Sequence, residues 1–511
     1  MPETQRALLE VSATHHPNET AIRVAETGET LTYREFDDRA NQMAEALTEL
    51  GVRRGDRVAM VLFNTIEFPI ALYGCHKIDA IPVILNYRLS VGESRYIFDD
   101  VNPEVIIFDE DLSESIVPAT EQSSRPSELV CVGGDSRDSI TFTELLDSGS
   151  PTAPPELIKS ADDVSYIFYT SGTTGDPKGV VHTVRSGKER INAMVISCGL
   201  HPDSVGMPLV PFVHGAGLLS IRSLVAVGAE LVVTNTFEPE PVIDAIEEHD
   251  ISYIDTVPTV TERIANYDGI DDHEFSTVEC WANTGEVMTE ERAKLFTERL
   301  TPNIYNAYGT SEIGQNVMLY PGDLPEQAGA IGRPIAGSEV RIIELDADRH
   351  VQPHETLSPG EEGEIIIRSD QIFRGYFGDE DTTRETVHEG WFYTKDVGYV
   401  DEDGYLTVTG RADDMIISGG ENISPVEVES VLKQHERVSG VIVVGIPHED
   451  LGQQPKAFVV ADGLTAADLE EYCREHDDLA DFKRPREYEF VEELARNEAG
   501  KKLRGNYRDS S

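Results

Sequence analysis

The stretch "YTSGTTGDPKG", residues 169–179, gathers three glycines, four aliphatic hydroxyls and a lysine into eleven positions of an acidic chain. It continues the apolar run "VSYIFYTSG", which reads as a buried strand opening into a loop. Glycines at 172, 175 and 179 permit positive φ and a close approach of backbone to ligand, so successive N–H groups can point inward. With the hydroxyls of Ser171, Thr173 and Thr174 and the Lys178 ammonium, they form an anion cradle suited to a polyphosphate. It is not a Walker loop, because Pro177 precedes the lysine and Gly179 follows it.

Outward from the loop, short apolar runs alternate with longer helical patterns. "RVAMVLFN" and "AIPVILN" read as strands around a helix in "EFPIALYGCHKID", and "PEVIIFDED" and "ELVCVGG" extend the series. This rhythm predicts a large multi-layer α/β domain with mostly parallel sheets. Near residue 410 the texture changes to short strands and tight turns, with Asp403-Gly404 a hairpin signal. The acid spacing around Asp401 does not fit a calcium loop. Ser424-Pro425-Val426-Glu427 is a capping-box pattern that predicts a helix start. Strands in "GVIVVGIP" and "KAFVVAD" and a helix from about Thr465 complete a small α+β C-terminal domain. The expected division is residues 1–412 and 413–511.

Ninety-four acidic residues face 42 basic ones, a formal net charge of -52 over 511 residues. Nucleic acid and anionic membrane surfaces are therefore poor partners, since binding phosphate backbones needs a cationic face. The acid is spread along the whole chain, which suits a solvated surface in a very salty cytoplasm, where a Debye length of about 3 Å at 1 M salt screens self-repulsion. Five scattered cysteines without a Cys-x-x-Cys pair argue against disulfides and a cysteine zinc site. The N-terminus has no basic leader or apolar core, and no apolar run reaches about 18 residues, so the expectation is a cytoplasmic protein without stable membrane insertion.

The loop resembles the phosphate-loop signature of the acyl-adenylate-forming (AMP-binding) superfamily, which contains acyl-CoA synthetases, peptide-synthetase adenylation domains and luciferases. Further segments follow in that family's order: "VPFVHGAG" (210–217), "NTGEVM" (283–288), "YNAYGTSE" (305–312), "GWFYTKDVGYVDEDGYLTVTGRADDMIISGGENISPVEVE" (390–429) and "RNEAGKKLR" (496–504). Two rival motifs fail on spacing. A nucleophile elbow at Gly309-Thr310-Ser311 needs glycine where Ile313 stands, and Gly215-Ala216-Gly217 ends its near match to a dinucleotide fingerprint in Ser220.

The resemblance implies ATP, Mg²⁺ and CoA as cofactor and co-substrates, and a small-molecule carboxylic acid as partner. It places Thr170, Ser171, Gly172, Thr173, Thr174, Gly175, Lys178, Gly285, Glu286, Asn306, Tyr308, Asp396 and Arg411 on ATP. Tyr308 offers an aromatic face to adenine and Ser311 a hydroxyl to the α-phosphate. Glu312 and Thr170 serve Mg²⁺. The two oxygens of Asp396 suit the ribose hydroxyls, with Arg411 donating to the same sugar. Asp413 takes the hinge position, and Lys501 the role of a catalytic cation arriving from the C-terminal domain, where it offsets repulsion between ATP and a carboxylate. Lys502 stands where the family usually has an aliphatic residue. His214 and Gly309 border the acyl pocket in this resemblance, and Gly419, Gly420 and Glu421 line the CoA passage.

"SGGENISPVEVE" is similar to the acyl-CoA synthetase form, which implies acyl-AMP formation followed by transfer to CoA. Gly309 replaces the tryptophan of acetate-specific relatives, and "LNYRLSVGESRYIFDD" is similar to fatty-acyl and aryl ligases. The expected acid is a medium-to-long-chain fatty acid. An aromatic acid of the benzoate or coumarate type is the alternative, and an enzyme that only adenylates and loads a carrier protein is another.

Overall fold

The computed structural model describes residues 4–125, 127–134, 139–155, 157–170, 177–345, 351–418, 421–448, 451–476, 479–495 and 504–508. Its contacts divide the chain into two compact units. One comprises Met1–Glu339 and Ile367–Phe392, the other Val340–Ile366 and Tyr393–Ser511. The second unit thus takes in chain on the N-terminal side of residue 412, because strand Leu406–Arg411 pairs with the end of strand Trp391–Val400 and both pack with residues 340–366.

Two sheets organise the first unit. The eight-stranded one runs in the order Gly375–Tyr376, Lys178–Thr183, Val164–Thr170, Ile81–Ile84, Arg57–Val61, Val105–Asp109, Glu128–Val132, Ile140–Thr141. Every strand expected on the N-terminal side of the loop is present, and the pairs from Val164–Thr170 through Glu128–Val132 are parallel, while Lys178–Thr183 returns antiparallel. Helices Val91–Val101 and Ser113–Glu121 close one face with Ile97, Phe98, Val101, Ile116 and Ala119. The helix Glu67–Lys77 accommodates Pro69 because it falls in the first turn, where an N–H has no partner within the helix. The nine-stranded sheet has a parallel interior through Tyr253–Thr256, Cys280–Thr284 and Ile304–Thr310, then turns antiparallel at Gly314–Leu319. This large α/β layout with mixed, mostly parallel sheets is the one expected.

Part of the acidity is structural. Glu35, Glu93, Glu144 and Asp468 each occupy the third position of a helix and accept from the N-cap backbone of Thr32, Ser90, Thr141 and Thr465. These charges also lie at the positive ends of helix dipoles.

In the second unit, strands Ile416–Ser418, Glu421–Ile423, Val438–His448, Gly452–Ala461 and Glu487–Phe490 form a sheet around Ile423, Val428, Leu432, Val441 and Val459. The hairpin signal is correct: Asp401 Oδ1 accepts from Asp403 N (3.0 Å) and Tyr405 N (2.8 Å), and Gly404 has φ of 85°. Helix Pro425–Lys433 begins where expected, but its capping box does not form. Ser424 Oγ instead donates to Thr409 O at 2.6 Å, and Glu427 is taken by Lys483 at 2.7 and 2.8 Å. Among the described residues no helix is long and apolar enough to cross a membrane.

Candidate active site

The hairpin of Val164–Thr170 and Lys178–Thr183 sets Thr170 opposite Lys178, so the ends of the glycine-rich loop are held by strand pairing. Ser171, Gly172, Thr173, Thr174 and Gly175 lie outside the described residues. Gly179 is needed for a reason other than the one expected. It is absent from the positive-φ glycines, and a Cβ there would meet Phe377 Cβ and the Tyr169 ring at 3.0 Å. Its carbonyl accepts from Phe377 N at 2.7 Å, so the close approach is to protein, not ligand.

Lys178 Nζ lies 5.3 Å from the centroid of the Tyr376 ring, and the Tyr376 hydroxyl donates to Glu312 Oε1 at 3.1 Å. Burial, followed by the Glu312 carboxylate, raises the Tyr376 phenol well above its ordinary pKa, so it stays a donor. The strand ends of the phosphate loop and the turn carrying Ser311 and Glu312 are thereby brought together through one tyrosine.

That turn is anchored from behind. Arg190, buried on helix Val184–Cys198, donates through Nη2 to Ser311 O (2.9 Å) and through Nε to Gln371 O (3.0 Å). Phe373 N donates to Glu312 O at 2.7 Å. With these backbone carbonyls held, the side chains of Ser311 and Glu312 project from a fixed frame. Sequence reasoning missed Arg190, Gln371 and Tyr376. The signal for Arg190 was an arginine among the apolar positions of a helix that follows the phosphate loop.

A bulge lies between Tyr308 and Gly309, the two residues expected beside adenine and the acid. Gly309 admits no side chain: a Cβ would lie 1.8 Å from Gly314 O. On the neighbouring strand side, Gly285 has φ of 90° and the Glu286 carbonyl accepts from Asn306 Nδ2 at 3.4 Å. The Glu286 carboxylate is engaged by Arg292 at 2.6 Å, which leaves its backbone as the part presented beside Asn306.

His214 is the N-cap of helix Gly215–Val227. Asn64 holds the approach to it, donating to Val210 O (3.0 Å) and accepting from Phe212 N (2.7 Å). Burial, then the Arg88 charge, lowers the His214 pKa, so the neutral imidazole is the resting form.

Asp396 and Arg411, in the second unit, stand directly opposite in the hairpin register, with Arg411 Nη1 3.0 Å from Asp396 Oδ1. Asp396 is buried while Arg411 is partly exposed. The backbone of Asp413 follows in the short turn Ala412–Asp414, its side chain outside the description. Glu421 opens strand Glu421–Ile423, also without a described side chain. Gly419, Gly420 and Lys501 lie outside the described residues. The arginine three positions beyond that lysine is described: Arg504 Nη2 donates to the buried Glu429 at 2.6 Å and Nη1 to Asp414 at 3.3 Å.

The model of the AMP-binding enzyme family matches residues 9–377, and that of the AMP-binding enzyme C-terminal domain matches residues 427–501. A 2-succinylbenzoate–CoA ligase of Oceanobacillus iheyensis is 32% identical over 515 residues, covering 99% of this chain and 99% of its own. Among solved structures, a Mycobacterium tuberculosis fatty acyl CoA synthetase superimposes with a TM-score of 0.80 at 30% identity, over 99% of this chain and 98% of that one. The o-succinylbenzoate CoA synthetase of Bacillus subtilis, in complex with its acyl-adenylate intermediate, superimposes with a TM-score of 0.86 at 27% identity, again over 99% and 98%. The chain therefore belongs to the AMP-binding enzyme family of acyl-adenylate-forming proteins, in its acid–CoA ligase branch.

Proposed function

We propose that the chain activates an aromatic carboxylic acid of the 2-succinylbenzoate class with ATP, forming acyl-AMP and pyrophosphate, and then transfers the acyl group to CoA with release of AMP. The observation that carries the aromatic reading is full-length similarity, at 30–32% identity, to a run of 2-succinylbenzoate–CoA ligases. It favours an aromatic acid over the fatty acid expected from the sequence, because segment 85–100 is similar to both fatty-acyl and aryl ligases and Gly309 argues only against acetate.

In this reading Lys178 and the loop hold the ATP phosphates, and Ser311 meets the α-phosphate. Tyr308 stacks on adenine and Asp396 with Arg411 binds ribose. Glu312 suits Mg²⁺: one oxygen accepts from Tyr376, and a magnesium site of one carboxylate completed by ATP phosphates and water needs no more protein ligands. Bound there, the ion would neutralise phosphate charge. Neutral His214 orients the acid's carboxylate without adding charge. Lys501, carried by the C-terminal domain about a hinge at Asp413, supplies the mobile cation for adenylation and yields to Gly419, Gly420 and Glu421 for thioester formation.

The test is a pyrophosphate-release screen across acids, with and without CoA, in molar KCl. The expected result is a kcat/KM at least about tenfold higher for 2-succinylbenzoate or benzoates than for decanoate, a difference of roughly 1.4 kcal/mol in transition-state binding. Preference for decanoate or palmitate would overturn the reading of the acid while leaving the reaction type intact.

A further inference from the structure

Two buried lysine side chains of the first unit are matched by acids. Lys77 donates to Glu10 at 3.0 Å and to Asp37 at 2.7 Å, and Lys159 meets Asp79 at 3.1 Å. Arg190 and Arg222 are buried as well, yet among the described residues neither forms an ion pair, in a chain that carries 94 acidic residues. Arg190 is held by the carbonyls of Ser311 and Gln371. Arg222 is held by Gln5 Oε1 of helix Gln5–His15, which accepts from Nε at 3.1 Å and also from Nη2. All these acceptors are neutral. A guanidinium keeps its charge in a protein, and a buried charge is costly until an opposite one compensates it.

Both arginines lie behind the hairpin that carries the phosphate loop. Arg222, on helix Gly215–Val227, has Cζ 4.7 Å from the centroid of the Tyr166 ring. Tyr166 stands opposite His182 in the register, and the two rings stack 4.7 Å apart. Gly187 makes room for this approach, since a Cβ there would lie 2.7 Å from Arg222 Nη2. Arg190 is three positions further along the same helix and so on the same face. Burial, then the charges of Arg190 and Arg222, hold His182 far below its ordinary pKa, so this ring adds no charge of its own. The Glu312 carboxylate is felt by Arg190 but is engaged by Tyr376. From Tyr166 and His182 the two strands run to Thr170 and Lys178 at the ends of the phosphate loop, about 13 Å of strand.

We propose that Arg190 and Arg222 form a buried positive field that the polyphosphate of ATP compensates, and that Arg222 favours nucleotide binding through its charge, without touching the nucleotide. The inference rests on the reading that places the ATP phosphates at the loop and at Ser311. Charges inside the fold interact through a lower dielectric than water and are screened far less by salt than surface charges are. The field therefore persists in molar KCl, where the exposed acids are screened within a few ångströms.

The experiment compares wild type with Arg222→Met and Gln5→Glu. The first removes the charge; the second keeps the arginine and its packing but sets a carboxylate against it, cancelling the field with an ion pair. Affinities for ATP, AMP and adenosine are measured by titration calorimetry in magnesium-free molar KCl, and stability by denaturant unfolding. Both variants should weaken ATP by about tenfold or more, AMP by less, and adenosine not at all, a gradation by charge that a structural role would not produce. Gln5→Glu should do so without loss of stability, which keeps the test open if Arg222→Met folds poorly. Equal loss for the three ligands, or no loss for ATP in Gln5→Glu, overturns the proposal. Wild type that binds ATP no more tightly than adenosine would remove the phosphate reading and this proposal with it.

Discussion

Two regions of one hairpin are finished in opposite ways. On the turn after strand Ile304–Thr310, the backbone carbonyls of Ser311 and Glu312 are both taken, by Arg190 and by Phe373, and the Glu312 carboxylate is steadied by Tyr376. Four residues on, the Gln315 carbonyl accepts from Gln371, while its amide has no partner among the described residues. In the proposed reading Ser311 and Glu312 meet ATP, which is the same in every turnover, and the protein's own hydrogen bonds hold their turn. The acid is what distinguishes one ligase from another, and no described residue fixes the Gln315 amide in that way.

The largest effect is expected outside the hairpin. Lys501→Ala should lower adenylate formation by at least about a hundredfold, roughly 2.7 kcal/mol, while thioester formation from preformed acyl-AMP and CoA survives. Rapid-quench assays of the two half-reactions separate these, and equal loss of both would mean the cation is not specific to adenylation.

Next comes the contrast itself. Arg190→Leu strips donors from two carbonyls and should cost about 2–5 kcal/mol of stability, whereas Gln315→Leu removes an amide that bonds to no described residue and should cost none. Denaturant unfolding of the two variants in molar KCl checks this; similar losses would erase the distinction. A smaller effect belongs to Tyr376→Phe, which leaves the ring beneath Lys178 but deletes the bond to Glu312. At about 1 kcal/mol it should reduce kcat/KM for ATP roughly fivefold, with relative kcat/KM among acids unchanged.

The smallest effect concerns Asp255, another buried group with an unpartnered atom, Oδ1, although Oδ2 accepts from Ser220 Oγ at 2.9 Å. Burial raises its carboxyl to about 7. The folded state holds this proton more tightly than the unfolded one, so the stabilisation is full below an unfolded pKa near 3.9 and is lost as pH rises through 7. The melting temperature of Asp255→Asn relative to wild type should therefore increase from pH 6 to pH 8. A difference independent of pH would show that Asp255 does not titrate there.

The layers of the fold were legible because each strand near the phosphate loop is a short apolar run between breakers, a pattern local enough to read from one sequence. The hairpin that carries Asp396 and Arg411 was readable in the same way from its Asp403-Gly404 turn signal, although their ion pair was not. What sequence could not show depends on contacts distant along the chain. Arg190 meets Ser311 across 121 positions, and Tyr376 meets Glu312 across 64. The capping box at Ser424 failed for the same cause: two remote partners, Thr409 and Lys483, outbid the local pair. The identity of the acid was least legible, because the segment read for it, residues 85–100, is similar to both fatty-acyl and aryl ligases.

The reaction reading is tested most directly by withholding CoA. Incubated with ATP, Mg²⁺ and 2-succinylbenzoate in molar KCl, the protein should accumulate a bound acyl-adenylate detectable by mass spectrometry after acid quench. Addition of CoA should convert it to the thioester with stoichiometric AMP. Formation of ADP and phosphate, or of thioester without a preceding adenylate, would contradict the account.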